Sequence, residues 1–264
     1  MIEEVFPTEE CYTPSMCKRD GVNFEMFNLK VYRMVHVPAQ KRKMTAHWTH
    51  GFNSGESHMT NEKRSNLMRK VVVFNVISLD GYHTGPDNDV SVMFPMMGGV
   101  FDTYTAELLH RADLTLAGRV SFQLFNSFWP EVAKDPTSEK WTPEQRELSQ
   151  AGESVPTIVV SDTLTGNWPD VRIIRRADAH QQIAGLKRQP GKDILITGSR
   201  TLWNDLLAHD LVDEIHLMIG NVVLGAGVPV FVGKPPASLR LVEVRNWQDS
   251  NNILVCYKVL HTSL

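Results

Sequence analysis

From Arg69 onward, short apolar runs rich in β-branched residues alternate with stretches of helical periodicity. The first run, KVVVFNVISLDG (70–81), is almost continuously apolar until a turn at Asp80-Gly81. Such a run is typical of a strand that is buried on both faces. A helix is predicted next, because FDTYTAELLHRAD (101–113) has apolar residues at helical spacing behind an early acid, Asp102. Alternating strands and helices predict an α/β fold with a mostly parallel sheet.

The alternation continues almost to the C-terminus. Further strands are predicted at LTLAG, TIVVS, VRIIR, DILITG and LVDEIHLMI, and further helices at RVSFQLFNSF, ADAHQQIAGLKRQ and SRTLWNDLL. The last two segments, LRLVEVRNW and NILVCYKVL, alternate apolar and polar residues as antiparallel strands do. We therefore expect a mainly parallel sheet that is closed by an antiparallel C-terminal pair.

Residues 1–68 differ from the rest of the chain. Periodicity is weak there, and the polar, turn-rich stretch HWTHGFNSGESHMTNEKRSN (47–66) is typical of a linker. One interpretation is a poorly ordered extension or small appendage. The other is a gene start placed too early, with the physiological start at Met59 or Met68. Either way, the predicted division is an extension at 1–68 and an α/β domain at 69–264.

Composition excludes several classes of protein. The net charge of −3 provides no basic field for nucleic acid or membrane surfaces, and no apolar run is long enough to cross a bilayer. The three cysteines, Cys11, Cys17 and Cys256, form no disulfide framework, and the acidic N-terminus is unlike a signal peptide. The expected location is cytoplasmic. Cys11 and Cys17 have no matching second pair for zinc, so no metal site is predicted.

Small, hydroxylated and basic residues follow the ends of four predicted strands, where parallel α/β sheets bind their ligands. The residues in question are Ser78, Asp80 and Gly81, then Gly118, Arg119 and Ser121, then Ser161, Asp162 and Thr163, and finally Gly198, Ser199, Arg200 and Thr201. Two of these turns, Gly118-Arg119 and Gly198-Ser199, also begin helices, whose N-termini attract phosphate. Each residue alone is compatible with a plain turn or helix cap. Together they favour a ligand site, although neither a G-x-G-x-x-G motif nor a P-loop is present.

Five motifs occur in a characteristic order: VVVFNVISLDGYHTGPD, AGRVSFQLFNSFWP, IVVSDTL, ILITGSRTLWNDLL and LVDEIHLMIGNVVLGAGVPVF. In this order they resemble the reductase family that unites dihydrofolate reductase with the C-terminal domain of the riboflavin-biosynthesis protein RibD, and especially its stand-alone bacterial members. The resemblance covers about residues 69–260. It implies a dihydrofolate reductase-like three-layer sandwich with an eight-stranded, mainly parallel sheet. It also implies an NADPH site and hydride transfer to a small heterocyclic or ribosylamine substrate, as in 5-amino-6-(5-phosphoribosylamino)uracil reductase.

The resemblance also assigns parts of the cofactor to particular residues. At the adenosine end, it implies that the 2′-phosphate side is held by Gly118, Arg119 and Ser121, and that the adenine ribose lies near Ser161 and Thr163. It implies that the pyrophosphate is bound by Gly198, Ser199, Arg200 and Thr201. The nicotinamide and substrate pocket would be lined by Ser78, Asp80 and Gly81.

Two departures from the family pattern concern the cofactor. Asp162 stands where similar proteins often carry arginine, and a carboxylate repels a 2′-phosphate, so NADH is possible beside NADPH. The phosphate turn contains Gly198-Ser199-Arg200, whereas the family usually has two or three glycines there.

Two carboxylates are candidates for a catalytic acid. The resemblance implies a carboxylate at the start of the helix after the first strand, which is where Asp102 lies. The alternative for Asp102 is an N-terminal acid that is favoured by the helix dipole. Asp80 is the second candidate, in a turn that favours aspartate in any case.

Three functions remain open from the sequence. The first is an NADPH-dependent reductase, the second a nucleotide-binding protein of the same fold without the reaction, and the third a dimeric scaffold. The zinc deaminase signature of complete RibD proteins, H-x-E with P-C-x-x-C, is absent. The expected partner is a small-molecule substrate, with no nucleic acid or membrane, and a homodimer through the sheet edges is implied by the family.

Overall fold

The computed structural model describes residues 68–235 and 237–260. The predicted extension, the linker at 47–66 and the cysteines Cys11 and Cys17 lie outside the described residues. The domain division at residue 68 therefore stays a prediction.

Ten strands and five α-helices make up the described part of the chain. The strands are β1 (Val71–Ile77), β2 (Tyr82–Thr84), β3 (Ala112–Gly118), β4 (Thr157–Val160), β5 (Val171–Ile174), β6 (Asp193–Thr197), β7 (Glu214–Ile219), β8 (Val228–Pro229), β9 (Ser238–Asn246) and β10 (Ile253–Leu260). The helices are α1 (Val100–Arg111), α2 (Arg119–Lys134), α3 (Pro143–Glu153), α4 (Arg176–Lys187) and α5 (Arg200–Ala208). Two short 3₁₀ helices, Pro86–Asn88 and Ser91–Met96, precede α1.

Eight strands form one sheet in the order β5-β4-β3-β6-β1-β7-β10-β9. The six strands from β5 to β7 are parallel, and β10 pairs antiparallel with both β7 and β9. The predicted mainly parallel eight-stranded sheet with an antiparallel C-terminal pair is confirmed. Strands β2 and β8 form a separate short ribbon.

Helices cover both faces of the sheet. All seven residues of β1 are buried, which explains its continuous apolar sequence. Val73 packs in a cluster with Trp203 of α5 and Ile183 of α4, whereas its neighbour Phe74 packs on the opposite face with Tyr104 of α1. Because successive side chains of a strand point to opposite faces, one strand supports two helical layers. The predicted three-layer architecture is confirmed.

Helix α3 was not predicted from the periodicity of the sequence. It buries only three residues, Leu148, Ser149 and Ala151, so its apolar pattern is weak. A capping box starts it instead, in which the Thr142 hydroxyl accepts from the Gln145 N–H at 3.2 Å and the Thr142 N–H donates to the Gln145 side chain at 3.1 Å.

The carboxyl ends of the parallel strands lie at one edge of the sheet, which we call the carboxyl edge. Ser78, Ser161 and Gly198 follow strands there, and Gly118 is the last residue of β3. Helices α2 and α5 begin at this edge, directly after β3 and β6. Helix α1 runs without a loop into the amino end of β3, so its N-terminus also points to the carboxyl edge. Three helix N-termini therefore reach the carboxyl edge, with α1 on the opposite face of the sheet from α5. Among the described residues, no helix is long and apolar enough to span a membrane.

Candidate functional site

Two serine hydroxyls join the N-termini of α2 and α5 at the carboxyl edge. The Ser199 Oγ accepts a hydrogen bond from the Gly118 N–H at 3.1 Å, and the Ser199 N–H donates to the Ser121 Oγ at 3.0 Å. Ser199 is the N-cap residue of α5, and Gly118 is the N-cap residue of α2. These reciprocal bonds hold the two helix starts side by side.

Neither helix start has a side-chain cap among the described residues. The N–H groups in the first turn of a helix have no partner within the helix, and they carry the positive end of the helix dipole. An added Cβ at Gly118 would meet no atom within 4 Å, so the space beside the α2 start is open. Arg119 and Thr201, in the two first turns, are exposed. Two adjacent uncapped N-termini fit a ligand that carries two phosphate groups.

The turn between β6 and α5 uses two consecutive residues with positive φ. Gly198 has φ of 63°, and Ser199 has φ of 51° and ψ of 42°, a left-handed conformation that is uncommon for residues other than glycine. The serine therefore takes the conformation that a second glycine would adopt. Its left-handed backbone costs of order 1 kcal/mol, and in return the hydroxyl accepts the Gly118 bond that a glycine could not.

The side chain of Arg200 hydrogen-bonds to backbone carbonyls of the protein. Its guanidinium donates to the carbonyl of Pro229 and, at 3.2 Å, to the carbonyl of Phe231. These bonds tie the start of α5 to the segment around β8. Arg119, by contrast, hydrogen-bonds within its own helix, where its Nη1 donates to the Gln123 Oε1 at 2.9 Å, and to no other described residue. Of the two predicted arginines, Arg119 is the one free to meet an anion at the carboxyl edge.

Ser161 shapes the turn after β4. Its buried hydroxyl accepts from the N–H groups of Thr163 at 3.2 Å and Leu164 at 2.9 Å. Thr163 is exposed beside it. Ser161 therefore positions the turn, and Thr163 is the member of the predicted pair that a ligand could contact.

Asp162 faces arginines and a helix start. Its carboxylate accepts from the Arg176 N–H at 3.1 Å and lies 3.7 Å from the Arg176 Nε, while Arg175 donates to its carbonyl at 2.8 Å. The charge of Asp162 is thus directed to the start of α4. Sequence reasoning missed Arg175 and Arg176, although the signal was present, because both follow the strand VRII directly at the same edge.

Asp80 holds the loop after β7. Its carboxylate accepts from the Ser78 hydroxyl at 2.6 Å, from the Gly225 N–H at 2.7 Å and from the Leu224 N–H at 3.1 Å. The Ser78 bond, assisted by those two amides, lowers the pKa of Asp80 to about 2. An ionised carboxylate has no proton to donate at neutral pH. The geometry therefore favours Asp102 over Asp80 as a proton donor.

The change Asp80→Asn is expected to loosen this loop. Because the folded chain holds Asp80 ionised, its contribution to stability is present above about pH 4 and disappears as the pH falls through about 2. We expect a lower melting temperature for the variant at pH 7 and faster hydrogen exchange at Leu224 and Gly225. The two melting temperatures should converge near pH 2, and a difference that persists there would contradict this role.

Asp102 lies in the first turn of α1 and is only 4 % exposed. Its neighbour Phe101 stacks on Phe74 of β1, which fixes the start of the helix against the sheet. Burial, with a smaller contribution from the negative charge of Glu144, raises the pKa of Asp102 to about 7. No hydrogen bond joins its carboxyl group to another described residue. Asp102 is therefore a carboxyl group that keeps its proton close to neutral pH.

Several buried polar atoms on β1, β2 and α5 lack hydrogen-bond partners among the described residues. They are the side-chain amide atoms of Asn75, Nδ1 of His83, Oγ1 of Thr84 and Nε1 of Trp203. Burial, with the charge of Arg200, lowers the pKa of His83 to about 4, so this ring is neutral at pH 7. Unpaired buried polar groups are costly, and they often mark places where a ligand supplies the partner. These atoms could therefore accept or donate hydrogen bonds to a polar ligand.

An apolar cleft of about 560 Å³ lies at the same edge, beside the ends of β1 and β7. Its lining residues are Ile77, Gly81, Leu217, Pro229, Val230, Phe231 and Gly233. A second cleft of about 550 Å³ lies at the opposite edge, near the amino ends of β3, β4 and β5. Only the first cleft adjoins the residues that were predicted from the sequence.

Comparison with known proteins identifies relatives across this whole domain. The RibD C-terminal domain model matches residues 69–255. The uncharacterized protein YyaP of Bacillus subtilis is 31% identical over 194 residues, which are 72% of this chain and 94% of YyaP. The uncharacterized protein YwjB of the same organism is 24% identical over 166 residues, or 62% of this chain and 84% of YwjB.

Two solved structures share the fold. A protein of Shewanella sp. PV-4 that is assigned provisionally to riboflavin biosynthesis has a TM-score of 0.53 at 21% identity, covering 73% of this chain and 99% of the other. A diaminohydroxyphosphoribosylaminopyrimidine deaminase/5-amino-6-(5-phosphoribosylamino)uracil reductase of Thermotoga maritima has a TM-score of 0.50 at 15% identity, covering 73% of this chain and 57% of the other. The resemblance predicted from the five motifs is confirmed: the chain belongs to the RibD C-terminal domain family.

Proposed function

We propose that this chain is a reductase that uses a nicotinamide dinucleotide and acts on a small heterocyclic or ribosylamine substrate. The observation that carries the proposal is the pair of uncapped helix starts, joined by Ser121 and Ser199. Such a pair can bind two phosphate groups of one ligand at once. The family and the Thermotoga maritima relative, whose name includes a ribosylaminouracil reductase, support the substrate class.

The backbone would hold most of the dinucleotide. The N–H groups of Arg200 and Thr201 at the α5 start would bind the pyrophosphate, and those at the α2 start would bind a further phosphate oxygen. The guanidinium of Arg200 would position the turn through its carbonyl bonds. When bound, a reduced nicotinamide supplies a hydride. The unpaired side chains of Asn75 and His83 would offer it polar partners.

Asp102 would supply the proton of the reaction. Reduction of a C=N bond requires a proton on nitrogen as well as a hydride on carbon. A carboxyl group with a pKa of about 7 is protonated often enough at neutral pH to donate, and its conjugate base is strong enough to regain the proton. Burial in the first turn of α1 produces this pKa without any special partner.

NADPH is the proposed cofactor, in preference to NADH. Asp162 is directed to Arg176 and the start of α4, which weakens its repulsion of a 2′-phosphate. Arg119 and Arg175 add positive charge at the same edge. The net field near the proposed adenosine end therefore favours the additional phosphate.

The change Arg119→Ala tests this preference. We expect NADPH to bind about tenfold more weakly and NADH to bind unchanged, since one exposed charge-assisted contact is worth roughly that much. The measurement is calorimetric titration of both cofactors. Arg188→Ala, an exposed arginine at the far end of α4, is the matched control and should leave both affinities unchanged. Equal loss for both cofactors would place Arg119 elsewhere than at the 2′-phosphate.

Turnover separates this function from the two alternatives. Oxidation of NADPH in the presence of a panel of pyrimidine and pteridine substrates would support a reductase. Tight cofactor binding without turnover on any of them would favour a nucleotide-binding protein of the same fold. The predicted cytoplasmic location stays a prediction.

We further propose a homodimer that forms through β9. This strand ends the sheet, and it exposes Leu241, Val242 and Val244 by 53%, 63% and 58%. Exposed apolar edge strands usually need cover. Val244→Lys is expected to weaken the dimer at least about tenfold in sedimentation velocity. Val223→Lys, at a 66% exposed site in the segment between β7 and β8, is the control. A wild-type chain that sediments as a monomer would refute the dimer.

A further inference from the structure

Two histidines and an aspartate meet on the outer surface of the helical layer formed by α4 and α5. His180 comes from α4, while Asp205 and His209 lie four positions apart at the end of α5. The three residues offer ligand atoms that all lie within 4.8 Å of one another. We propose that His180, Asp205 and His209 bind a divalent transition-metal ion of the zinc, cobalt or nickel class. The proposal is independent of the reductase function, because the cluster lies at the opposite end of α5 from the phosphate-binding start.

The donor set suits such an ion. Imidazole and carboxylate groups are common ligands of zinc, with metal–ligand distances of about 2.0–2.2 Å, so two ligands of a tetrahedral ion lie about 3.4 Å apart. His180 Nε2 is 2.6 Å from Asp205 Oδ2, and one ligand atom from each of the three residues lies within 4.8 Å of the others. The side chains of His180, Asp205 and His209 are 37%, 51% and 50% exposed, so an ion can reach them from solvent. Water would complete the coordination.

A hydrogen bond to the backbone determines which ring nitrogen of His209 is available to a metal ion. Its Nδ1 lies 2.8 Å from the backbone carbonyl of Asp205. When Nδ1–H donates to that carbonyl, Nε2 keeps the lone pair that a metal requires, which is the outer-shell arrangement found for most ligating histidines. His209 is also the C-cap residue of α5, where the unpaired carbonyls of the helix end favour a cation.

The cluster contains two imidazole rings, whereas an ordinary surface ion pair with Asp205 would need only one. The imidazole rings of His180 and His209 stack with centroids 3.8 Å apart, and both share the single carboxylate of Asp205. Two protonated rings at that separation repel each other. One divalent ion, in contrast, would satisfy both neutral rings and the carboxylate together, and it would cross-link α4 to α5.

The chain provides a matched comparison. His110 and Glu147 also form an exposed pair, with Nε2 2.7 Å from Oε1, on α1 and α3. That pair offers one imidazole and one carboxylate, and no third ligand joins them among the residues that the structure describes, so it should not bind a metal ion tightly. His110→Asn is therefore the control for loss of a surface histidine.

The experiment uses the full chain without an affinity tag, stripped with EDTA and titrated calorimetrically with ZnCl₂ at pH 7.5. Histidines and cysteines in residues 1–67 contribute the same background to every variant. We expect the wild type and His110→Asn to bind one more equivalent than His180→Asn or His209→Asn, with micromolar affinity. Saturating zinc should also raise the melting temperature by about 5 °C only in the first two proteins.

Cobalt provides a second readout that does not depend on folding stability. Co²⁺ at a site with nitrogen ligands gives visible absorption bands, which should appear in the wild type and be absent from Asp205→Asn. Without metal, all variants should show the same circular dichroism spectrum, and any that does not is replaced by the glutamine variant at the same position. Equal zinc stoichiometry and equal melting temperatures in all four proteins would overturn the proposal.

Discussion

Replacement of Asp102 by asparagine is expected to lower turnover at pH 7 by about 100-fold or more, within the usual range for loss of a general acid. The wild-type rate should fall about tenfold per pH unit above pH 7, because burial sets the pKa of Asp102 to about 7 and the proton is lost there. The variant should show no such decline. Cofactor affinity should stay unchanged, since the residues proposed to bind phosphate lie on α2 and α5.

The same substitution should stabilise the folded chain. The pKa of Asp102 rises from 3.8 in the unfolded chain to about 7 in the folded one, so the folded state binds the proton more tightly. The free energy of unfolding therefore falls as the pH rises from about 4 to about 7, and it stays reduced above that. At pH 8 the variant should be more stable than the wild type by about 2–4 kcal/mol.

Chemical unfolding at pH 4 and pH 8, together with steady-state kinetics, separates catalysis from packing. Opposite signs for stability and turnover show that loss of activity is not loss of fold. Glu144→Gln is the control: it removes the smaller electrostatic contribution and should shift the pH profile slightly towards acid. An Asp102→Asn variant that gains stability and keeps full turnover would assign Asp102 a purely structural role.

The change Thr201→Asp is expected to weaken NADPH binding by about 100-fold, because it places a carboxylate among the N–H groups proposed for the pyrophosphate. Thr201 is exposed and is the second residue of α5. An acid in the first turn of a helix interacts favourably with the dipole, so the variant should be as stable as the wild type or more stable, by about 0.3–1 kcal/mol.

Calorimetric titration and thermal unfolding measure both effects. Thr201→Asn is the matched variant, since it has the same shape and capping ability without the charge, and it should lose much less affinity. Wild-type affinity in Thr201→Asp would move the phosphate site away from α5. Reduced stability in Thr201→Asp would mean that the α5 start is not the free anion site described above.

Much of the fold follows from local sequence patterns. The continuous apolar run of β1 and the alternation in β9 and β10 identify buried and antiparallel strands, and the order of elements then implies a parallel sheet. Helix α3 was not predicted from the sequence, because it buries few apolar residues and depends on the Thr142–Gln145 capping box. The ribbon of β2 and β8 was not predicted either, because strands of three and two residues are too short to show an alternating pattern.

The candidate site was predictable as a list of residues and not as a set of contacts. Glycines and hydroxyls that follow strands identify an edge of the sheet, which is why Gly118, Ser121 and Ser199 were found. Their mutual hydrogen bonds depend on β3 lying beside β6, and strand order is not encoded in local periodicity. The contact of Asp80 with Gly225, 145 positions later in the chain, could not be predicted either, because it also depends on which strands are neighbours in the sheet.

The most direct test of dinucleotide binding at the starts of α2 and α5 is calorimetric titration of the full wild-type chain with NADPH and NADH. The Thr201→Asp variant is titrated in parallel. We expect one molecule of NADPH per chain at micromolar affinity or better, weaker binding of NADH, and binding of both that is about 100-fold weaker in the variant. No binding of either cofactor to the wild type, or equal binding to Thr201→Asp, would contradict the claim that the joined starts of α2 and α5 hold a dinucleotide.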